Sequence, residues 1–305
     1  MYTENKNYLI VVIGPTAIGK TALAIKIAQH YNCDIISCDS RQFYKEMTIG
    51  TAVPSIEEQQ AAKHHFIQNI SIEKTYSVGD FERDAIEKLN KLFQENTIQV
   101  MVGGSGLYVN AILNGLDDFP DVDPSIREKL NIDLENKGLS YLQNLLKELD
   151  PIHYNKVAID NPQRVIRALE ICIGTGQPYS SFLNKKENRR NFIPIIIGLE
   201  ADREQMYQRI NQRVDIMMNN GLLNEAKNLY SYKDNNALQT VGYRELFSFF
   251  NNEFSLDFAI EEIKKNTRRF AKRQITWFKR TENVLWFNYK TDPEIIFETI
   301  NKKIN

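Results

Sequence analysis

YLIVVIGPTAIGKTALAIKIAQH, residues 8–30, reads as strand, loop and helix in one sweep. The first six residues are a β-branched run that stops at a glycine, and Leu23, Ile27 and Ala28 then recur at helical spacing. Between the two, Gly14, Pro15, Thr16, Ala17, Ile18, Gly19, Lys20 and Thr21 match GxxxxGK[ST] in the strand-to-helix setting that the motif requires. Successive backbone N–H groups and a helix N-terminus hold phosphate oxygens in such a loop, Lys20 adds a point charge, and the Thr21 hydroxyl can ligate Mg²⁺. The loop therefore recognises a polyphosphate and says nothing about a base attached to it.

Working outward, CDIISC at 33–38 and IQVMV at 98–102 are short apolar runs that predict further strands buried on both faces of a parallel sheet. A helix is expected over 80–96, with Phe81, Ala85, Leu89 and Leu92 on one face. After Gly115 the texture changes. Asp123-Pro124 and Asn161-Pro162 are cap-then-first-turn pairs, Gly138 is expected to stop one helix and Gly174 another, and no strand-like run appears over 116–192. Strand returns at 193–199 and 284–287, with long helices at 202–218, 222–230 and 257–279 and one more at the end. The expected fold is α/β: a P-loop NTPase-like parallel-sheet core, residues 1–115 and 193–305, interrupted by an all-helical insertion domain at 116–192.

The chain has 305 residues, 38 Lys plus Arg against 39 Asp plus Glu, so no global basic field marks a nucleic-acid partner and any such surface must be local. The opening carries an apolar run of only six residues, too short for a signal peptide or a membrane span of about 20 residues, which predicts a cytoplasmic protein with no membrane partner. Cys33, Cys38 and Cys172 fit no disulfide or zinc spacing, and His30, His64, His65 and His153 form no metal motif. A transition-metal enzyme is not expected.

Three further features carry chemistry. The strand at 98–102 runs into Gly103-Gly104-Ser105 with no terminal acid, so the metal-binding aspartate of nucleotide hydrolases is missing there. Asp39 instead follows the strand at 33–38, at the carboxyl end of the sheet, where it is either a base beside the P-loop or simply a helix cap. Residues 264–280 hold Lys264, Lys265, Arg268, Arg269, Lys272, Arg273, Lys279 and Arg280 without one acid, a local charge of +8. At helical spacing these form two basic ridges, while Ile260, Ile263, Phe270, Ala271, Trp277 and Phe278 form an apolar stripe expected to face the core. An anionic partner accounts for the block, and so would acids elsewhere in the chain. Arg164 and Arg167, and likewise Arg209 and Arg213, lie one turn apart on their helices and can meet phosphate groups.

Together, the runs GPTAIGKT, ISCDSRQFYKEMTIGTA, VGGSGLYV, NPQRVIRALE, QTVGYRE and AKRQITWFKR resemble the tRNA dimethylallyltransferases, also called tRNA isopentenyltransferases, over nearly the whole chain. The resemblance implies transfer of a dimethylallyl group from dimethylallyl diphosphate to N6 of the adenosine 3′ of the anticodon. It assigns the donor and Mg²⁺ to the P-loop, the base to Asp39, and diphosphate contacts to Arg213 alongside Lys20. Contacts to the tRNA anticodon stem-loop would fall on Asp39, Ser40, Arg41, Gln42, Ser105, Arg127, Gln163, Arg164, Val165, Ile166, Arg167, Gln239, Gly242, Tyr243, Arg244, Lys272, Arg273 and Lys279. Two positions depart from the family pattern: Ser105 stands where a threonine is usual, and Val53 where a lysine is usual.

An allylic diphosphate ionises once its leaving charge is stabilised, which N–H donors, Lys20, Arg213 and Mg²⁺ would do. The adenine amine has its lone pair delocalised into the ring, so Asp39 would orient it and take a proton as the carbon–nitrogen bond forms. The target base would be flipped out of the loop into a channel between core and insertion. A small-molecule or nucleoside kinase is the alternative enzyme, a non-catalytic tRNA-binding module the alternative of another class, and a monomer is the default assembly.

Overall fold

The computed structural model describes residues 6–183 and 190–304. The expectations for residues 184–189 and for the first five residues lie outside the described residues. The chain divides into two compact units, Met1–Asn114 with Arg190–Asn305, and Gly115–Arg189.

The first unit is built on six parallel strands: β1 Tyr8–Ile13, β2 Ile35–Ser37, β3 His64–His65, β4 Ile98–Val102, β5 Ile193–Glu200 and β6 Val284–Asn288, in the order β3-β2-β4-β1-β5-β6. β1 lies in the middle, paired with β4 and β5, and its six side chains are all buried. Period-two alternation splits them between two layers. Tyr8, Ile10 and Val12 join the apolar cluster of α1 (Lys20–Tyr31) and the C-terminal Pro293–Ile304 helix. Leu9, Val11 and Ile13 join the opposite cluster, with Phe81, Ala85 and Leu89. A continuous apolar run, β-branched from Ile10 to Ile13, is thus what a strand covered on both faces needs.

After α1 come α2 (Ile56–Ala61), α3 (Val78–Leu92) and α4 (Gly106–Asn114). The strand at 33–38 is shorter than its apolar run, and the edge strand β3 carries two histidines rather than an apolar signal. His65 pairs with Asp34, just before β2, at 2.7 Å, a polar link between the edge strand and its neighbour.

The second unit holds α5 (Pro124–Lys137), α6 (Leu139–Leu149), α7 (Pro151–Tyr154) and α8 (Pro162–Thr175), followed by a 3-10 turn at Tyr179–Phe182. Asp123, Asp150 and Asn161 each accept a backbone N–H as N-caps, with proline in the first turn. Leu130, Leu142, Leu146, Val165, Ile166 and Leu169 form its core. Gly138 ends α5 as its sequence suggests, but Gly174 does not end α8. That helix runs one residue further and stops on Gly176 at φ 68°, while Gly174 is a packing position whose Cβ would lie 2.4 Å from Val122.

The first unit continues with α9 (Arg203–Asn219), α10 (Leu222–Asn228), α11 (Tyr243–Phe250), the 23-residue α12 (Leu256–Phe278) and α13 (Pro293–Ile304). Helices α9 to α12 and the segment after β2 share an apolar cluster that includes Tyr44, Met47, Val214, Leu222, Tyr243 and Ile263. Because every strand runs the same way, the loops after β1, β2, β4 and β5 all emerge at one edge of the sheet, where ligands of such sheets bind. Among the described residues no helix is long and apolar enough to cross a membrane.

Candidate active site

The loop after β1 is shaped by left-handed backbone at three positions: Gly14 at φ 147°, Ala17 at φ 63° and Gly19 at φ 107°. A Cβ on Gly14 would stand 2.7 Å from the Leu199 carbonyl of β5, so side-chain-free backbone is required for this close approach. Gly19 caps α1 without any side-chain hydrogen bond, leaving the first amides of the helix available to an anion. Lys20 donates to the Pro15 carbonyl at 2.7 Å, and Arg209 of α9 donates to the Ala17 carbonyl at 2.8 Å.

Lys20, Thr21, Asp39 and Arg213 line one small cavity together with Thr16, Gln42 and Gly103. Burial brings the Lys20 ammonium down to about 8, opposed by the charge of Asp39 and reinforced by Arg213. Burial likewise disfavours the charge on Arg213, against the pull of Asp39 and Glu58. Two cations and one carboxylate therefore meet at the strand ends, a net positive spot suited to a diphosphate. Asp39 also accepts the Arg41 amide at 3.1 Å, which fixes its turn. Gly103 supplies the third wall, and a Cβ there would come within 2.0 Å of the Cys38 carbonyl.

Two larger cavities adjoin. One, about 450 Å³, is the mouth of the P-loop, lined by residues of the loop with Val53, Pro54, Glu58, Arg209 and Arg213. The other, about 480 Å³, has Thr16, Asp39, Ser40, Arg41, Ser105 and Arg213 on its polar side. Ile210, Val214, Met217, Leu222, Phe270 and Trp277 form its apolar side. Ser105 accepts the Ser40 amide at 3.1 Å and pairs with the Ser40 hydroxyl at 3.1 Å, so the hydroxyl at this position holds the two loops together. Arg41 donates to the Asn236 carbonyl at 2.9 Å, and Gln42 donates to the carbonyls of Thr51 and Ala52.

Gln274 is a site residue that carries no signal of its own in the sequence beyond its place inside the run AKRQITWFKR. It is buried, accepts the Thr16 amide at 2.8 Å and donates to the Gly104 carbonyl at 2.9 Å. On the same side of α12, Phe270 and Trp277 are each 39% exposed and line the large cavity, whereas the sequence stripe placed both in the core. Ile263, Ala271 and Phe278 are the residues of that stripe that are buried. A 23-residue helix can present part of its apolar stripe to a cavity, and spacing alone does not say which part.

The basic block is less free than its sequence suggests. Lys264 meets Asp215 at 2.9 Å and Glu261 at 3.0 Å, Lys265 pairs with Glu262, and Lys279 meets Glu200 at 2.8 Å. Lys279 also sits 3.9 Å over the Trp286 ring, so its expected tRNA contact competes with a partner in its own chain. Arg268 donates to Asn211 at 2.6 Å. Among the described residues Lys272 and Arg273 have no acidic partner, and Arg273 lines the large cavity beside Phe270.

Of the remaining residues assigned to tRNA, Gln239, Gly242 and Arg244 line the same large cavity, but Tyr243 is fully buried and donates its hydroxyl to Glu225 at 2.6 Å. Its side chain belongs to the core. In the second unit Val165 and Ile166 are fully buried, so no contact through their side chains is open to an RNA. Gln163 and Arg164 are exposed on the first turn of α8. Arg127 and Arg167 both bind the buried Glu170, at 3.0 and 3.2 Å, and Arg167 lies 5.5 Å over Phe119.

Comparison with known proteins adds an independent line. A sequence model of the family described as IPP transferase matches residues 42–281. The tRNA dimethylallyltransferase of Flavobacterium psychrophilum is 65% identical over 304 residues, covering 98% of this chain and 99% of that protein. The tRNA dimethylallyltransferase 1 of Bacteroides fragilis is 46% identical over 288 residues, 94% of this chain and 96% of that one. Among solved structures, a tRNA isopentenylpyrophosphate transferase from Bacillus halodurans superposes with a TM-score of 0.73 at 35% identity, covering 98% of this chain and 97% of that one. A eukaryotic dimethylallyltransferase described as acting on tRNA superposes with a TM-score of 0.79 at 27% identity, covering 97% of this chain and 77% of that one.

Proposed function

The chain belongs to the IPP transferase family, and on that premise we propose that it transfers the dimethylallyl group of dimethylallyl diphosphate to N6 of the adenosine 3′ of the anticodon in tRNA. The products are N6-dimethylallyladenosine and diphosphate. It is a prenyltransferase enzyme, and its fold is the P-loop-like α/β core of that family. The observation that carries the detailed reading is the small cavity shared by Lys20, Thr21, Asp39 and Arg213, opening beside a chamber with one apolar wall.

In the proposed reaction the allylic carbon–oxygen bond breaks and its electron pair leaves with the diphosphate. Lys20, Arg213 and the P-loop amides hold that departing charge. The carbon–nitrogen bond forms to the adenine amine, and Asp39 takes the proton the amine loses. The apolar side of the chamber excludes water from the cationic carbon, which would otherwise be hydrolysed.

The residues fit Mg²⁺: Thr21 lines the same cavity as Asp39, and its hydroxyl has no hydrogen-bond partner among the described residues. Among them no cluster of three or more His, Cys, Asp or Glu could form a metal cage, which suits an ion held largely by the donor's own phosphates. When bound, the ion would supply charge neutralisation to the leaving diphosphate. Anticodon stem-loop contacts through Ser40, Arg41, Ser105, Gln239, Arg244, Lys272 and Arg273, a cytoplasmic location and a monomeric state complete the reading. The test is incubation with dimethylallyl diphosphate, Mg²⁺ and unmodified tRNA, with nucleoside analysis of the digest. Modified adenosine is the expected result, and phosphorylation with ATP in its place would favour a kinase.

A further inference from the structure

The segment 48–54, between the turn after β2 and α2, contributes to all three cavities of the site. Gly50 and Thr51 line the large chamber, Ala52, Val53 and Pro54 the P-loop mouth, and Thr51 the small cavity with Lys20 and Asp39. Within the segment, the amides of Ala52 and Val53 bond to the carbonyls of Ile49 and Thr48, and the Thr51 hydroxyl bonds to Met47. Gln42 ties the far end through the carbonyls of Thr51 and Ala52.

The amides of Thr48, Ile49 and Gly50 all converge on one acceptor, the carboxylate of Glu225 on α10, 177 to 175 residues away in sequence. The distances are 3.1 and 2.8 Å to Oε2 and 2.9 Å to Oε1. Tyr243 adds its hydroxyl to Oε1 at 2.6 Å. Its ring also packs so closely on Gly50 that a Cβ there would stand 2.6 Å away. Three successive amides pointing at one spot make a nest for an anion, the same device by which a P-loop holds phosphate. Here an internal carboxylate occupies the nest, and charge assistance makes these bonds stronger than neutral ones.

We propose that Glu225 is a positioning residue for the transfer reaction, fixing the backbone at 48–52 so that Thr51 and its neighbours hold their places beside Lys20 and Asp39. The proposal rests on the reading of this site as the transfer site. Only a carboxylate satisfies four donors with two oxygens. A carboxamide of the same size turns an N–H₂ toward at least one backbone N–H and releases that part of the segment. Displacement of about 1 Å at a reacting centre lowers rate by about 100-fold, so a loss of about 10- to 100-fold in the transfer rate is expected.

The experiment measures single-turnover dimethylallyl transfer at saturating donor and tRNA for the wild type, Glu225→Gln and Glu225→Ala, each normalised to its folded fraction by circular dichroism. Both variants should lose about 10- to 100-fold in rate per folded molecule. Added formate, which can enter the vacated nest of Glu225→Ala, should restore a large part of its rate and leave Glu225→Gln unchanged. A rate per folded molecule equal to wild type in either variant, or no response of Glu225→Ala to formate, would overturn the proposal. Absence of transfer by the wild type would instead overturn the functional reading itself.

Discussion

The side-chain oxygen of Gln274, on α12, accepts the backbone amide of Thr16 in the P-loop at 2.8 Å across 258 residues of sequence. Through its nitrogen the same carboxamide reaches the Gly104 carbonyl, so one buried side chain joins the loop after β1 to the loop after β4. Replacing it with Met leaves the partly buried Thr16 amide and the buried Gly104 carbonyl without their partner. Such groups cost about 1–3 kcal/mol each. Gln274→Met should lower the thermal midpoint and weaken donor binding, both read by thermal unfolding with and without dimethylallyl diphosphate. A midpoint equal to wild type would mean that water replaces the carboxamide at no cost.

Asp39→Asn should reduce turnover by about 10² to 10⁴, the usual weight of a general base, while donor affinity is retained. Asparagine keeps the size of the side chain and can still accept the Arg41 amide, so the turn after β2 survives. Pre-steady-state transfer together with donor titration separates the two quantities. Near-normal transfer would remove Asp39 from proton removal.

The Lys20 ammonium, held at about 8 by burial, makes opposite predictions for activity and stability. Its positive charge holds the donor, so kcat/KM for the donor should fall as pH rises through about 8. Bound diphosphate favours the charged form, so kcat at saturating donor should hold to higher pH. For folding, the unfolded chain binds more protons on this lysine between about 8 and its ordinary 10.5, so its contribution to stability rises with pH over that window. The thermal midpoint of wild type relative to Lys20→Met should therefore rise where kcat/KM falls. Parallel curves would contradict the assignment.

Lys272→Ala and Arg273→Ala should each weaken tRNA binding and reduce the slope of log K against log salt by about 0.7, the single-strand value for one phosphate contact. Lys264→Ala serves as the contrast, since Lys264 is largely buried between Asp215 and Glu261. Its loss should lower the thermal midpoint and leave the salt slope unchanged. Equal slopes for all three variants would show that the free cations of α12 do not meet phosphate.

What the sequence made legible was local. Residues 8–21 announce a strand, a phosphate loop and a helix because the apolar run, the glycines and the helical spacing that specify them are local, although Leu199, Arg209 and Gln274 pack on the finished loop from far along the chain. Asp39 was visible for the same reason, as an acid at a strand end. Gln274 and Glu225 were not, since each acts on backbone more than 150 residues away. The local charge of residues 264–280 leaves out Asp215 and Glu200, which lie on other elements and neutralise two of its lysines. Phe270 and Trp277 share their period with true core residues, and only the position of the cavity distinguishes them.

The contact of Gly103 with the Cys38 carbonyl bears on any attempt to broaden the acceptor. At that point the gap between the strand bearing Asp39 and the strand leading to Ser105 is set by main chain against main chain, and no trimming of a side chain can widen it. An enzyme redesigned for a bulkier base gains its room instead from the side chains of Phe270 and Trp277, which line the chamber from α12 and whose truncation removes atoms without moving the sheet.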